Sequence, residues 1–324
     1  MGKLRIKIAA WDYDRVRPII DGRVPVEGCE VDFLVLPPEQ CFHRAYLQKE
    51  FEVSEIGFSP YLIAYSRGVH PYIALPVFLS RMFRHSAVYV RTDRGIRRPE
   101  DLKGKRVGIV EYQMSAVMWP RGMFADDHGV KPADLLWRQG GLDVPGRKDK
   151  FPLNLPPGFP LEPVPEGRTL SAMIADGSLD AVITPRPPGC YRDGRTPVAR
   201  LYEDYETAER EYYRRTGIFP IMHALGVRVD VHERHPWLAG ALTRAFTEAK
   251  RIATADLFEQ DALKVSLPWI ASHAQQTRAL MGEDFWPYGV EANRRTLEVM
   301  TRYSYEQGLA VRRLGVDEIF AEAS

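Results

Sequence analysis

Short apolar runs alternate with amphipathic stretches along the whole chain. Arg5 to Ala10 predicts a first buried strand, ending in the polar-aromatic cluster Trp11-Asp12-Tyr13-Asp14. A second strand is predicted near Cys29 to Leu36, after the turn-like Val26-Glu27-Gly28, and Pro38 to Lys49 carries helical spacing. Phe51 to Gly57 reads as a strand running into Phe58-Ser59-Pro60, a helix start with Ser59 as N-cap and Pro60 in the first turn. Tyr72 to Val77 is a further apolar run. From about Ser86 the pattern restarts, with strands at Ala87 to Val90 and Arg106 to Val110 and a helical stretch from Ser115 to near Gly129. Thr169 is placed to cap a helix with Leu170, Met173 and Ile174 on its apolar face. Gly177 stops that helix, and the strand Leu179 to Ile183 runs into Thr184-Pro185. Beyond lie a strand at Ala199 to Tyr202, a charged helix at Tyr205 to Arg215, a strand at Ile221 to Val229 and an amphipathic helix at Pro236 to Ala255.

Two stretches of this pattern match each other. Helix, acidic turn, strand and Ser-Pro occur around Leu47 to Pro60, and helix, acidic turn, strand and Thr-Pro recur around Leu170 to Pro185. Each follows, in its own half, a strand ending in a polar-aromatic cluster, Trp11 to Asp14 or Glu111 to Ser115. Matched α/β units imply two similar lobes, and ligands of open α/β sheets sit beyond the carboxyl ends of strands. Returning the C-terminal part to the first lobe is the most economical topology. It puts residues 1–88 and 192–324 in lobe I and 89–191 in lobe II, with hinge crossings near Tyr89 and near Thr184 to Tyr191. Between Val144 and Arg168 prolines crowd the chain, which predicts an irregular arm serving as a lid, a subunit contact or neither.

Composition narrows the function classes. A net charge of +1 and the lack of a basic stripe give no reason to expect nucleic acid or an anionic membrane. No uncharged run is long enough to span a bilayer, and the first residues show no apolar signal region. Three cysteines at unrelated spacings (Cys29, Cys41, Cys190) argue against a disulfide framework, so a reducing, cytoplasmic setting is expected. His232-Glu233-Arg234-His235 lacks the zinc-protease spacing, and there is no dinucleotide or Walker A loop and no G-x-S-x-G elbow. No cofactor and no metal ligand set are therefore expected, and a homo-oligomer is compatible with the composition.

Arg98-Pro99-Glu100-Asp101-Leu102-Lys103-Gly104-Lys105-Arg106-Val107-Gly108 resembles the segment with which many type 2 periplasmic binding proteins enter their second lobe. Further segments are more specific: Trp11 to Arg15, Ser80 to Ser86, Glu111 to Met114, Arg215 to His223 and Gly282 to Gly289. In that order they resemble the 4,5-dihydroxyphthalate decarboxylase family, from near the N-terminus to about Leu314. The resemblance implies a two-lobed periplasmic-binding-protein type 2 fold with a ligand cleft. It also implies removal of one carboxylate from 4,5-dihydroxyphthalate to give protocatechuate and carbon dioxide.

In such a substrate each carboxylate lies para to a hydroxyl. The site needs cations for two carboxylates, a base for the phenol and an acid for the ring carbon. Arg81, Arg84 and Arg186 are the candidate cations, since the guanidinium fork suits carboxylates; inter-lobe salt bridges are the bland alternative. Ser59 and Ser115 at helix starts, with the Thr184 hydroxyl, are candidates for polar contacts, although simple capping explains them equally. His223, His85 and Glu55 are the candidate acid–base groups; a hinge or core histidine is the alternative for each imidazole. Trp11, Tyr112 and Phe219 are candidates for ring stacking, with Asp12, Gln113 and Met114 beside them; core packing is the plainer reading of the aromatics. The rival function is a non-catalytic solute-binding protein for an aromatic or other small carboxylate, because a fold does not dictate a function.

Overall fold

The computed structural model describes residues 2–147, 149–153 and 155–322; Met1, Ala323 and Ser324, the ends of the expected first lobe, lie outside the described residues. Among the described residues eleven strands form two sheets. β1 (Leu4–Ala10), β2 (Cys29–Val35), β3 (Val53–Gly57) and β4 (Tyr72–Arg81) belong to the first. β5 (Val88–Arg91), β6 (Arg106–Ile109), β7 (Leu136–Gln139), β8 (Leu161–Pro163), β9 (Ala181–Ile183) and β10 (Val198–Arg200) form the second. β11 (Ile221–Arg228) returns to the first sheet. The strand orders are β2-β1-β3-β11-β4 and β10-β5-β9-β6-β7-β8.

The repeat in the sequence is a repeat in pairing. In the first sheet β1 is parallel to β2 and β3, and β11 is antiparallel to β3 and β4. In the second, β6 is parallel to β7 and β9, and β5 is antiparallel to β9 and β10. β5 and β11 hold equivalent places, and each follows one of the two chain crossings. β10 lies beyond residue 191, so the second sheet continues past the expected second crossing, which runs from Leu201 to Pro220 through the helix Tyr205–Thr216.

Apolar periodicity explains the packing. The helix Trp237–Asp256 buries Leu238, Leu242, Phe246 and Ala249 on one stripe against Ile6, Ile8 and Val53 of the first sheet. Leu170 and Ile174 pack with Leu179 and Val182 in the second lobe. A larger cluster crosses between the lobes, from Phe58, Tyr61 and Phe78 to Trp119, Trp137 and Ile183. The helix Ser115–His128 joins them, its Trp119 indole donating to the Ile221 carbonyl at 2.9 Å. That helix lies so close to Arg294–Glu306 that a Cβ on Gly122 would stand 2.2 Å from the Tyr303 ring.

Two local expectations are corrected. The helix after β3 starts at Phe58 with Gly57 as its cap, so Ser59 sits inside the first turn. β7, unsignalled in the sequence, extends the second sheet, and the arm contributes β8 beside it. Both are short, β7 burying Trp137 alone and β8 no residue, without the alternation that marks a half-buried strand.

Candidate active site

A cavity of about 540 Å³ lies between the lobes, at the carboxyl ends of β2 and β3 on one side and of β6, β7 and β9 on the other. Strand ends gather polar groups there because the backbone leaves the sheet with its next residues facing the gap. The lining includes Glu39, Phe42, Arg84, Glu111, Arg147 and His223.

His223 sits on β11 opposite Gly57, and Leu225 opposite Glu55. With a side-chain period of two, His223 and Glu55 leave the same face of the sheet as diagonal neighbours. His223 Nδ1 lies 2.6 Å from Glu55 Oε1. The Tyr13 hydroxyl donates to the same oxygen at 2.7 Å, and the Trp11 amide donates to Oε2 at 2.9 Å. Burial disfavours the Glu55 charge, but the hydrogen bond and charge of His223, with the Tyr13 and Trp11 donors, outweigh it and hold the carboxyl below its usual range. Burial and the Glu55 carboxylate together push the Tyr13 phenol well up, so it stays a donor. Phe42 stands edge-on to the imidazole, with centroids 4.8 Å apart.

Among the described residues five cations line the cavity (Arg84, Arg147, Lys150, Arg186, Arg192) against three carboxylates, Glu39, Asp143 and Glu111. Arg147 and Lys150 are engaged by Glu39 and Glu111, and Arg192 by Asp143 at 3.4 Å. Arg84 and Arg186 make no ion pair among the described residues. The Arg84 Nε donates to Met222 Sδ at 3.3 Å; burial lowers its pKa to about 10, against the pull of Glu209, and leaves it charged at neutral pH. Two uncommitted guanidinium groups in a partly apolar cavity are suited to a dianion.

The remaining sequence-derived candidates divide clearly. Met114, Ser115 and Thr184 line the cavity. The Ser115 hydroxyl donates to the Met222 carbonyl and accepts from the Ser59 amide, both at 3.0 Å, joining the lobes behind the wall. Trp11 and Asp12 lie outside the lining: Trp11 is 39% exposed and Asp12 pairs with Arg17. Arg81 is buried against Asn293, between the rings of Phe78 and Phe219. Phe219 stacks on Phe83 at 4.7 Å. His85 is enclosed by Tyr202 and Tyr212 at the first crossing, where burial pushes its pKa down to about 4. Tyr112 points away from the cavity, with Arg121 over its ring at 3.5 Å, while Gln113 binds the backbone of Phe151. The chain turns between β6 and the helix Ser115–His128, and across that turn Glu111, Met114 and Ser115 reach the cavity while Tyr112 and Gln113 do not. Sequence reasoning missed Glu39, Arg147 and Lys150, which carry no periodic signal and meet only because the arm folds across the cleft.

Among the described residues no group of three or more His, Cys, Asp or Glu side chains is arranged to hold a metal ion, and no helix is long and apolar enough to cross a membrane.

A family described as ABC transporter, phosphonate, periplasmic substrate-binding protein matches residues 22–142. A 4,5-dihydroxyphthalate decarboxylase of Comamonas testosteroni is 45% identical over 324 residues, covering all of this chain and 98% of that protein. A second 4,5-dihydroxyphthalate decarboxylase, from Pseudomonas putida, is 44% identical over 214 residues, 66% of this chain and 83% of the relative. In fold, the chain is similar to the periplasmic aliphatic sulphonate binding protein SsuA of Escherichia coli, with a TM-score of 0.55 at 11% identity over 99% of this chain and 98% of that one.

Proposed function

The chain belongs to the 4,5-dihydroxyphthalate decarboxylase family, and from that premise we propose that it removes one carboxylate from 4,5-dihydroxyphthalate in the inter-lobe cavity, yielding protocatechuate and carbon dioxide. The observation that carries the site assignment is the pairing of His223 with buried Glu55 in a cavity that also holds Arg84 and Arg186 without carboxylate partners among the described residues.

Arg84 and Arg186 bind the substrate's carboxylates and orient the ring. Glu55 accepts the Nδ1–H of His223, which leaves Nε2 as the basic nitrogen for the cavity. Nε2 takes the proton of the phenol para to the departing carboxylate, and the phenolate raises electron density on the carbon bearing that carboxylate. This carbon takes up a proton from solvent, and its bond to the carboxylate breaks with the electrons refilling the ring. Carbon dioxide leaves, and the imidazolium returns its proton to the oxygen. One proton is consumed overall. Removing His223 from such a scheme should cost roughly 10²–10⁴-fold in rate. Tyr13 and Trp11 act through Glu55, fixing the carboxylate that fixes the ring.

We assign the reaction to the cytoplasm, a reading supported by three buried free thiols, Cys29, Cys41 and Cys190, as a reducing compartment would leave them. Incubation of the purified protein with 4,5-dihydroxyphthalate, following both products, tests the activity. Equal yields of protocatechuate and carbon dioxide are expected. Tight binding of the substrate with no turnover would instead make the chain a solute-binding protein.

A further inference from the structure

One side of the cavity is closed by chain that is neither strand nor helix. Arg147 and Lys150 reach the wall from the proline-rich arm. Arg147 holds a carboxylate of each lobe: its Nε donates to Glu111, just after β6, at 2.5 Å, and a terminal nitrogen bonds Glu39, just after β2. Lys150 repeats the span, 2.9 Å from Glu111 and 3.6 Å from Glu39. The next residue is anchored on both sides as well. The Phe151 amide and carbonyl bond the Gln113 side chain, each at 3.2 Å, and the Phe151 ring stands edge-on to Tyr46 of the first lobe at 5.4 Å.

The Glu111 side chain is 2% exposed, so the cations lie in a partly dry wall where charge interactions are stronger than in water. Burial raises the pKa of Glu39, yet the neighbouring Lys150 and Arg147 outweigh it and keep the carboxyl below its usual range. Without Glu39, both cations retain Glu111 in the second lobe and lose their ion-pair partner in the first.

We propose that Glu39 is a positioning residue for the decarboxylation: it draws Arg147 and Lys150 across the cleft, so that fastening the lobes and completing the cationic wall of the cavity are one event. The inference rests on the decarboxylase reading. It places the contribution of Glu39 in holding the dicarboxylate, while the proton chemistry at His223 proceeds unchanged once substrate is bound.

The test is Glu39→Gln in the full chain, assayed with 4,5-dihydroxyphthalate and titrated with benzene-1,2-dicarboxylate, which lacks the para hydroxyls. KM and the Kd of the unreactive dicarboxylate should each rise about tenfold, kcat should stay within about twofold, and the Phe151 amide should exchange faster. In an Arg147→Met background, where Lys150 still neutralises Glu111, the same change should move KM less than about threefold, because the two residues act as one unit. Unchanged KM, Kd and Phe151 exchange would overturn the proposal, as would a fall in kcat at constant KM, which would put Glu39 in the proton chemistry. Should the wild-type protein fail to turn over the substrate, the decarboxylase reading falls. The Phe151 exchange of Glu39→Gln still decides, by itself, whether Glu39 fastens the lobes.

Discussion

Glu55 and His223 lie on adjacent antiparallel strands, two residue pairs apart in register, and their side chains meet at 2.6 Å with one oxygen shared by the Tyr13 hydroxyl. Glu55 is fully buried, so its charge is compensated by the groups around it and by little solvent.

His223→Gln should lower kcat by roughly 10²–10⁴-fold with far-ultraviolet circular dichroism unchanged. Glu55→Gln should also lose most activity, because a glutamine amide donating to Nδ1 would move the imidazole proton to Nε2 and remove the base. Steady-state kinetics on both variants check this; an active His223→Gln protein would dismiss the assignment.

The depressed Glu55 carboxyl makes a stability contribution with a definite sign. Its folded pKa lies below the ordinary 4.5, so the contribution is complete above that pH and is lost as pH falls through the folded value. The Tm gap between wild type and Glu55→Gln should therefore be widest near neutral pH and shrink below about pH 4.5, as thermal melts across pH will show.

Glu209 has the opposite sign. Burial at the second crossing lifts its pKa to about 7, against the Ser86 and His85 amides and the charges of Arg84 and Arg200. The folded state then binds the proton more tightly than the unfolded chain, and stability declines as pH rises from the ordinary 4.5 toward 7. Glu209→Gln should melt higher than wild type above pH 7, with the advantage vanishing at acid pH; an unaltered pH–Tm curve would contradict this.

Arg84→Met and Arg186→Met should each reduce kcat/KM by roughly ten- to hundredfold, the scale of one charged hydrogen bond. Replacement by lysine at either position should restore only part of the loss, since a point charge does not reproduce the guanidinium fork. Equal kcat/KM in wild type and either methionine variant would remove that arginine from the site.

Ser115→Ala leaves the buried Ser59 amide and Met222 carbonyl without the hydroxyl that joins them. The expected cost is about 1–3 kcal/mol, the range for an unsatisfied buried polar group. Urea denaturation measures it, and a change within experimental error would mean that the lobes reseat around the smaller side chain.

Read from the sequence alone, this protein is two matched α/β units with a returning strand, and the residues at the ends of its strands are candidates for one cleft. Apolar periodicity carries that information locally: the stripe of Leu238, Leu242 and Phe246 marks a helix face, and the runs ending at Trp11, Gly57 and Ile183 mark strands. Tertiary structure alone decided which polar side chains converge. Glu39, Glu111, Arg147 and Lys150 are separated by up to 111 residues in sequence, and no periodicity links them. Arg81 and His85, close in sequence to Arg84, are turned away into the crossing by the packing of Asn293, Tyr202 and Tyr212. The reason is physical: burial of a repeating face is encoded every two to four residues, whereas the meeting of charges across a cleft depends on how whole sheets and an irregular arm pack together.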